Sequence, residues 1–410
     1  MEDISVLICD DSALMRNLIS RIVDGAEGMK IVGKAMNGRF LIEKIPQLKP
    51  DVIVLDIEMP EMNGIEFLKY RKEHNIDIPV IILSSIAEKG AAVTMECLEL
   101  GASDFITKPN GSVSADINSV ADNLIGLISS YGGQYARRKG RAVQSSDFFS
   151  KSLSERSFER KLRTTMGAEA ANKIIDSERE RRASSISRPS VTESSRFSFS
   201  QSAQKTAGSV TPLREPGRIE AIAIGISTGG PNALREVFRA IDPKVPQPIL
   251  VVQHMPAGFT REFATSLDKI CPLSVKEAAN GDVIEGGHVY IAPGNFHIVV
   301  ESGNFGRKKI RLSQDPQRNG HRPSVDVLFE SMAKMYQNRC LGVIMTGMGK
   351  DGAQELAEMR RQGAWTLGQD EKTSIVYGMP KVAFELGGVQ KQVPLEKMAA
   401  EISALALAHK

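Results

Sequence analysis

Two stretches of the chain alternate short apolar runs with amphipathic segments, and a polar stretch lies between them. In the first, the runs SVLICD, MKIVGKA, DVIVLD, IPVIIL and DFIT are too short for helices and mostly too apolar for half-exposed strands, so they predict strands covered on both faces. Amphipathic spacing predicts helices from about Ala13, Arg39, Ile65 and Gly90, and a fifth ending near Ser130. Strand and helix in strict alternation imply a doubly wound parallel sheet over residues 1–130, of flavodoxin-like type.

The alternation resumes at about residue 215 and continues to 410, with EAIAIG, PILVVQ, HVYIAPG, FHIVV, KIRLS and LGVIM as strands. Helices are expected near Asn232–Ala240, Thr260–Lys269, Val325–Tyr336 and Ala353–Gln362. The fold class is therefore α/β, with a second doubly wound, Rossmann-like domain joined to the first by a long linker over 131–214. In open sheets of this kind ligands gather beyond the carboxyl ends of the strands, and candidate chemistry is sought there.

Charge sharpens the division. The 410 residues carry a formal net charge of +3, but residues 137–210 alone carry +8, leaving −5 on the rest. That segment is serine-rich (SSISRPSVTESSRFSFSQSAQ) and is read as a solvated tether rather than a nucleic-acid surface, because no aromatic residues are interleaved in a fold. Phe158, Leu162 and Met166 recur at helical spacing and predict one short helix within it. The absence of a long apolar run and of a signal-peptide pattern predicts a cytoplasmic protein without membrane insertion. Cys9, Cys97, Cys271 and Cys340 are far apart, so neither a disulfide framework nor a zinc site is expected.

In the first domain, Asp10 and Asp11 end the first strand, Asp56 the third and Ser84 the fourth, and Lys108 follows the fifth. Three carboxylates converging on one edge repel one another unless a cation lies among them, and oxygen donors suit Mg²⁺. Asp56 is then a candidate nucleophile toward phosphorus, with the metal, the Ser84 hydroxyl and the Lys108 ammonium placed to stabilise phosphoryl oxygens. The motifs ICDDS, LDIEMPEMNG, ILSS and TKP resemble those of response-regulator receiver domains over residues 1–130. The resemblance implies Asp56 as phosphoacceptor, Asp10 and Asp11 as Mg²⁺ holders, Ser84 as switch hydroxyl with Ser85 as the alternative, and Lys108 as a phosphoryl contact. Lys108–Pro109 is a candidate cis peptide.

In the second domain, AIAIGISTGGPNAL orders a strand, a glycine-rich turn and a helix, with Ser227 in the turn and G-x-S-x-G satisfied by Gly225, Ser227 and Gly229. A phosphate-cradling turn is the alternative for this segment, although the Lys-Ser/Thr pair of a P-loop is missing. A nucleophilic serine needs a base. Of six histidines, His254 follows a buried strand on the Ser227 edge, with His321 in reserve. The loop in LGVIMTGMGKDGA brings Asp351 to that edge as partner of the imidazolium. The chain order Ser, His, Asp is not that of α/β-hydrolases.

The motifs GISTGGP, QHMPAGFT, YIAPGNFH, HRPSVDVLF, TGMGKDGA and GAWTLGQD, in order after a receiver, resemble the chemotaxis protein-glutamate methylesterase and glutamine deamidase family. The resemblance implies hydrolysis of glutamate methyl esters with release of methanol, deamidation of receptor glutamines, and control by phosphorylation. It implies Ser227, His254 and Asp351 as the triad, Met348 as an oxyanion donor, and Thr228, His321 and Arg322 as neighbours. Methyl-accepting chemotaxis receptors are the implied substrates and a chemotaxis histidine kinase the implied phosphodonor; no cofactor is expected in the catalytic domain. It also implies that an unphosphorylated receiver lies over the Ser227 edge. Service in a non-chemotaxis pathway and a non-catalytic binding output are the alternatives. Lys350 and the length of the linker depart from the pattern of the family.

Overall fold

Strand β1 (Ile4–Cys9) is buried along its whole length, as an apolar run inside a parallel sheet covered on both faces must be. Its neighbours are β2 (Met29–Ala35), β3 (Val52–Asp56), β4 (Val80–Ser84) and β5 (Asp104–Thr107), all parallel, in the order β2-β1-β3-β4-β5. The computed structural model of the chain describes residues 2–85, 88–108, 114–143, 208 and 210–410. The expected helix near Phe158, Leu162 and Met166, and the peptide at Pro109, lie outside the described residues.

Helices α1 (Ala13–Asp24), α2 (Gly38–Leu48), α3 (Gly64–Glu73), α4 (Glu88–Glu99) and α5 (Ser114–Leu127) cover the two faces. Local chemistry fixes where they begin. Ser12 caps α1 by accepting from Met15 N–H, and Asn63 and Glu66 form a reciprocal capping box on α3.

The first domain extends past the expected boundary at residue 130. The last helix continues through a π-turn (Ile128–Gly132) into α6 (Gly133–Arg138), and Val143 pairs in parallel with Glu2. Burial explains the extension: Tyr131 packs in the core of the sheet, and Arg141 holds Asp51 at 2.6 Å and Glu2 at 2.6 Å. At the other end, Gly208 and Leu213 already hydrogen-bond to Glu385 and Arg361 of the second domain.

The second domain contains β6 (Ala221–Ile226), β7 (Ile249–Gln253), β8 (Ser274–Glu277), β9 (His288–Ile291), β10 (His297–Ser302), β11 (Lys308–Ser313), β12 (Cys340–Ile344), β13 (Trp365–Gln369) and β14 (Lys391–Val393). Seven of these form one parallel sheet, ordered β14-β13-β12-β6-β7-β9-β8. The runs FHIVV and KIRLS were expected to join it; instead β10 and β11 make a separate antiparallel pair. Strands β8, β13 and β14 were not anticipated, and β8 and β14 are short edge strands with polar residues, which carry little apolar signal. The helices are α7 (Gly230–Ala240), α8 (Phe259–Asp268), α9 (Val325–Tyr336), α10 (Ala353–Arg361), α11 (Met379–Glu385) and α12 (Leu395–Ala408).

The sheet order decides where the site forms. From β6 the chain goes to β7 on one side, and β12 later lies on the other, so β6 is the switch point of the topology. The loops after β12, β6 and β7 therefore open side by side.

The first and second domains pack directly. Phe105 of β5 stacks on Phe259 of α8 with centroids 5.0 Å apart and planes 8° from parallel. Asn232 of α7 donates to the carbonyls of Ala102 and Ser103 at 3.0 and 2.9 Å, and Ser266 donates to Glu99 at 2.6 Å.

Candidate active site and phosphoacceptor site

Ser227 follows β6 at the turn into α7. The turn needs Gly229 at φ 77°, where a side chain is strained and a Cβ would lie 2.7 Å from Ile375. His254 follows β7 and Asp351 follows β12, so three adjacent strand ends bring together residues 27 and 97 positions apart. His254 Nδ1 is 3.1 Å from Ser227 Oγ, and His254 Nε2 is 2.8 Å from Asp351 Oδ2. The ring thus presents Nδ1 to the serine, the reverse of the serine-protease arrangement in which Nε2 faces it. Gly347 allows the β12 loop to approach, because a Cβ there would be 2.8 Å from Ser227 Cβ.

Asp351 is 1% exposed. Against the upward pull of burial, hydrogen bonds from His254, Asn319 and Ser324 hold its carboxyl well below the usual carboxylate range. It is therefore charged at neutral pH and suited to support an imidazolium.

Among the described residues, His321, the reserve base, makes no hydrogen bond to the serine. It stacks on His254 with centroids 3.8 Å apart and planes at 12°. Burial, and then the proximity of His254, push its imidazole down to about 3, so it stays neutral. Thr228, Met348 and Arg322 line the same cavity of about 380 Å³ as Ser227 and His254. The Arg322 guanidinium braces the loop, donating to Asn295 Oδ1 at 2.7 Å and to the Gln314 carbonyl at 2.8 Å. The far wall of the cavity is the receiver, through residues that include Phe105, Ile106, Asn123 and Leu127.

In the receiver, Asp10, Asp11 and Asp56 present carboxylate oxygens within 4.8 Å of one another. Lys108 Nζ is 2.7 Å from Asp56 Oδ1 and 3.4 Å from Asp10 Oδ2. Burial, opposed by Lys108, pushes Asp56 up to about 6. Asp10 Oδ2 is buried without a well-formed hydrogen bond. A set of hard oxygen donors with one unsatisfied oxygen fits Mg²⁺. Ser84 is the buried last residue of β4, with Oγ 2.6 Å from Thr94 Oγ1, whereas Ser85 is exposed.

Comparison with known proteins bears on both domains. Residues 6–115 match the response regulator receiver domain model, and residues 222–402 match the CheB methylesterase model. A Treponema denticola protein named protein-glutamate methylesterase/protein-glutamine glutaminase is 53% identical over 404 residues, covering 98% of both chains. The chain belongs to this family. A relative of the same name from Treponema pallidum is 48% identical over 98% of this chain and 96% of its own. Both alignments span nearly the full lengths, so family members with chains of about this length exist. The crystal structure of the Thermotoga maritima CheB methylesterase catalytic domain is 38% identical, covers 46% of this chain and 98% of its own, and superposes with a TM-score of 0.44.

Sequence reasoning passed over three residues that touch the site. Asn319 and Ser324 both hydrogen-bond to Asp351, and Asp104 reaches from the receiver to Gly229. The Asn319-Gly320 dipeptide was a usable signal, since Asn-Gly marks two-residue turns with positive φ. No local pattern marks Asp104, whose partner lies 125 residues away.

Proposed function

We propose that the chain is a phosphorylation-controlled serine hydrolase that removes methyl groups from glutamate γ-methyl esters of chemotaxis receptors and deamidates receptor glutamines. The observation that carries this reading is the hydrogen-bonded chain Ser227–His254–Asp351 at the sheet's switch point. Ser227 Oγ attacks the ester carbonyl as His254 Nδ1 takes its proton, and Asp351 stabilises the imidazolium. Collapse of the tetrahedral intermediate expels methoxide, which receives the proton from His254 and leaves as methanol. Water, activated by the same base, then hydrolyses the acyl-enzyme to free glutamate and Ser227. For glutamine the leaving group is ammonia. The Ser227 N–H is engaged by the Thr346 carbonyl at 3.0 Å, so in this reading oxyanion stabilisation falls to other donors of the cavity wall, and Met348 and Thr228, which line it, are the candidates.

Regulation follows from the receiver's position. An α-helix is about 10 Å across, and the receiver walls the cavity from the side opposite Ser227. A receptor helix therefore needs the receiver to move. Asp56 is the phosphoacceptor in this reading, and Asp10, Asp11 and Asp56 would hold Mg²⁺, which would offset the charge of the phosphoryl oxygens. Lys108 and Ser84 respond to the phosphoryl group, and a chemotaxis histidine kinase is its donor. Phosphorylation opens the enzyme only as far as the two receiver states differ in docking free energy.

The test is methanol release from methyl-labelled receptor membranes, with and without a small acyl phosphate as donor. Ser227→Ala should abolish release while Asp56 is still phosphorylated. Retention of near-normal release by that variant would overturn the nucleophile assignment.

A further inference from the structure

The Asp351 carboxylate is held by more groups than a triad requires. Oδ2 accepts from His254 Nε2 at 2.8 Å and from Val325 N–H at 2.7 Å. Oδ1 accepts from Ser324 Oγ at 2.7 Å, Asn319 Nδ2 at 2.9 Å and Asp326 N–H at 3.3 Å. All donors other than His254 come from one segment, residues 319–326. Ser324 is fully buried, and it has a second bond, from its own N–H to His297 Nδ1 at 3.2 Å.

A two-residue turn presents the segment. Arg318 and His321 exchange backbone hydrogen bonds at 3.1 and 3.0 Å, and Asn319 and Gly320 between them have φ of 54° and 80°. Positive φ at both central residues is what an Asn-Gly turn of type I′ supplies. One turn thereby sets Asn319 against Asp351 and stacks His321 on His254.

Such bracing answers a mechanical need. The terminal torsion of an aspartate is broad, so a carboxylate bonded only to His254 can rotate away when the imidazole becomes charged. Donors on the opposite oxygen stop that rotation. Asn319 also donates to Asp326 Oδ2 at 2.6 Å, so one amide stands between two buried carboxylates.

Resting on the reading of Ser227, His254 and Asp351 as an acyl-transfer triad, we propose that Ser324 and Asn319 are positioning residues of the reaction: they lock Asp351 so that Oδ2 stays on His254 throughout the proton transfers.

The groups facing this pair set the expected pH behaviour. His254 and the stacked His321 lie on one side, and His297 and Asp326 on the other. Arg318 is backed by Glu330 and Glu355, and Lys350 adjoins in sequence. The Asp104 carboxylate approaches from the receiver only as far as Gly229. Removing a donor from Oδ1 leaves more of the Asp351 charge for His254 to balance. The imidazolium is then favoured, and the base of the free enzyme is protonated at higher pH.

The experiment uses the full chain, activated by an acyl phosphate, on methyl-labelled receptor membranes. Ser324→Ala removes the hydroxyl and Ser324→Thr keeps one. Asn319→Gly removes the amide while preserving the positive φ. Ser324→Ala and Asn319→Gly should each lower kcat about tenfold, the scale of one hydrogen bond to a charged group. KM should stay within about twofold, and the acidic limb of the kcat/KM profile should move to higher pH. Ser324→Thr should restore much of kcat and the parental limb. Parental kcat and pH profile in both deletion variants would overturn the proposal. So would a loss of activity with an unmoved profile that threonine does not rescue, since that is the mark of a merely structural role. If Ser324→Ala fails to fold, Asn319→Gly decides alone. Ser227→Ala assayed in parallel separates the two failures, because its continued activity would remove the triad itself.

Discussion

Asp104 Oδ2, in the receiver, accepts a hydrogen bond from the Gly229 N–H at 2.9 Å, two residues beyond Ser227. Gly229 is the N-cap of helix α7 and has no side chain to cap it. The receiver supplies the missing acceptor, and a carboxylate at a helix N-terminus is favoured by the dipole as well as by the bond. Tyr131 O–H and Phe105 N–H, at 3.4 and 2.9 Å, support the same carboxylate, whose burial pushes it up to about 6.

Removing that acceptor should loosen the docked state. Asp104→Ala is expected to raise unphosphorylated methanol release about tenfold, on the scale of a hydrogen bond to a charged group. Asp104→Asn, which keeps an acceptor without the charge, should fall between. An unchanged basal rate in Asp104→Ala would show that this contact does not hold the receiver closed.

The Phe105–Phe259 stack is a second part of the same interface. A double-mutant cycle with alanine at both positions, read as the ratio of phosphorylated to unphosphorylated rates, should give a coupling of about 1 kcal/mol. Additive effects would mean that the rings are neighbours without energetic consequence.

Control and catalysis should separate on chelation. EDTA is expected to abolish the response of the full chain to an acyl phosphate while leaving its basal esterase rate unchanged. Asp56→Asn should be equally unresponsive with Mg²⁺ present. Loss of the basal rate on chelation would point to a metal in the hydrolytic step itself.

His321 makes stability depend on pH. Its imidazole is held near about 3 in the folded chain against an ordinary 6.5, so below 6.5 the unfolded chain binds a proton that the folded chain refuses. The stability it contributes is complete above pH 6.5 and is lost progressively as pH falls from 6.5 toward about 3. Between pH 7.5 and 5 this amounts to about 2 kcal/mol, or a few degrees of melting temperature. His321→Gln should melt with a correspondingly shallower dependence over that interval; an identical slope would place the acid sensitivity elsewhere.

Most of the elements and the candidate reactive groups were legible in the residues alone. Buried strands such as β1 and β6 must be apolar along their whole length, and the loops that leave them open at one sheet edge, so Asp56, Ser227, His254 and Asp351 were legible as candidates from runs and motifs. The order Ser, His, Asp was legible for the same reason. What the tertiary structure decided was everything that depends on approach between distant segments. The stacking of His321 on His254, 3.8 Å between ring centroids, became visible only in the packed chain. The end of the receiver moved from 130 to Val143 because Tyr131 and Arg141 find buried partners across the sheet. Strands β8 and β14 pair at the sheet's edges without an apolar run to announce them. The bracing of Asp351 by Asn319 and Ser324, and the reach of Asp104 to Gly229, depend on distances between side chains and backbone groups that only the packed chain specifies.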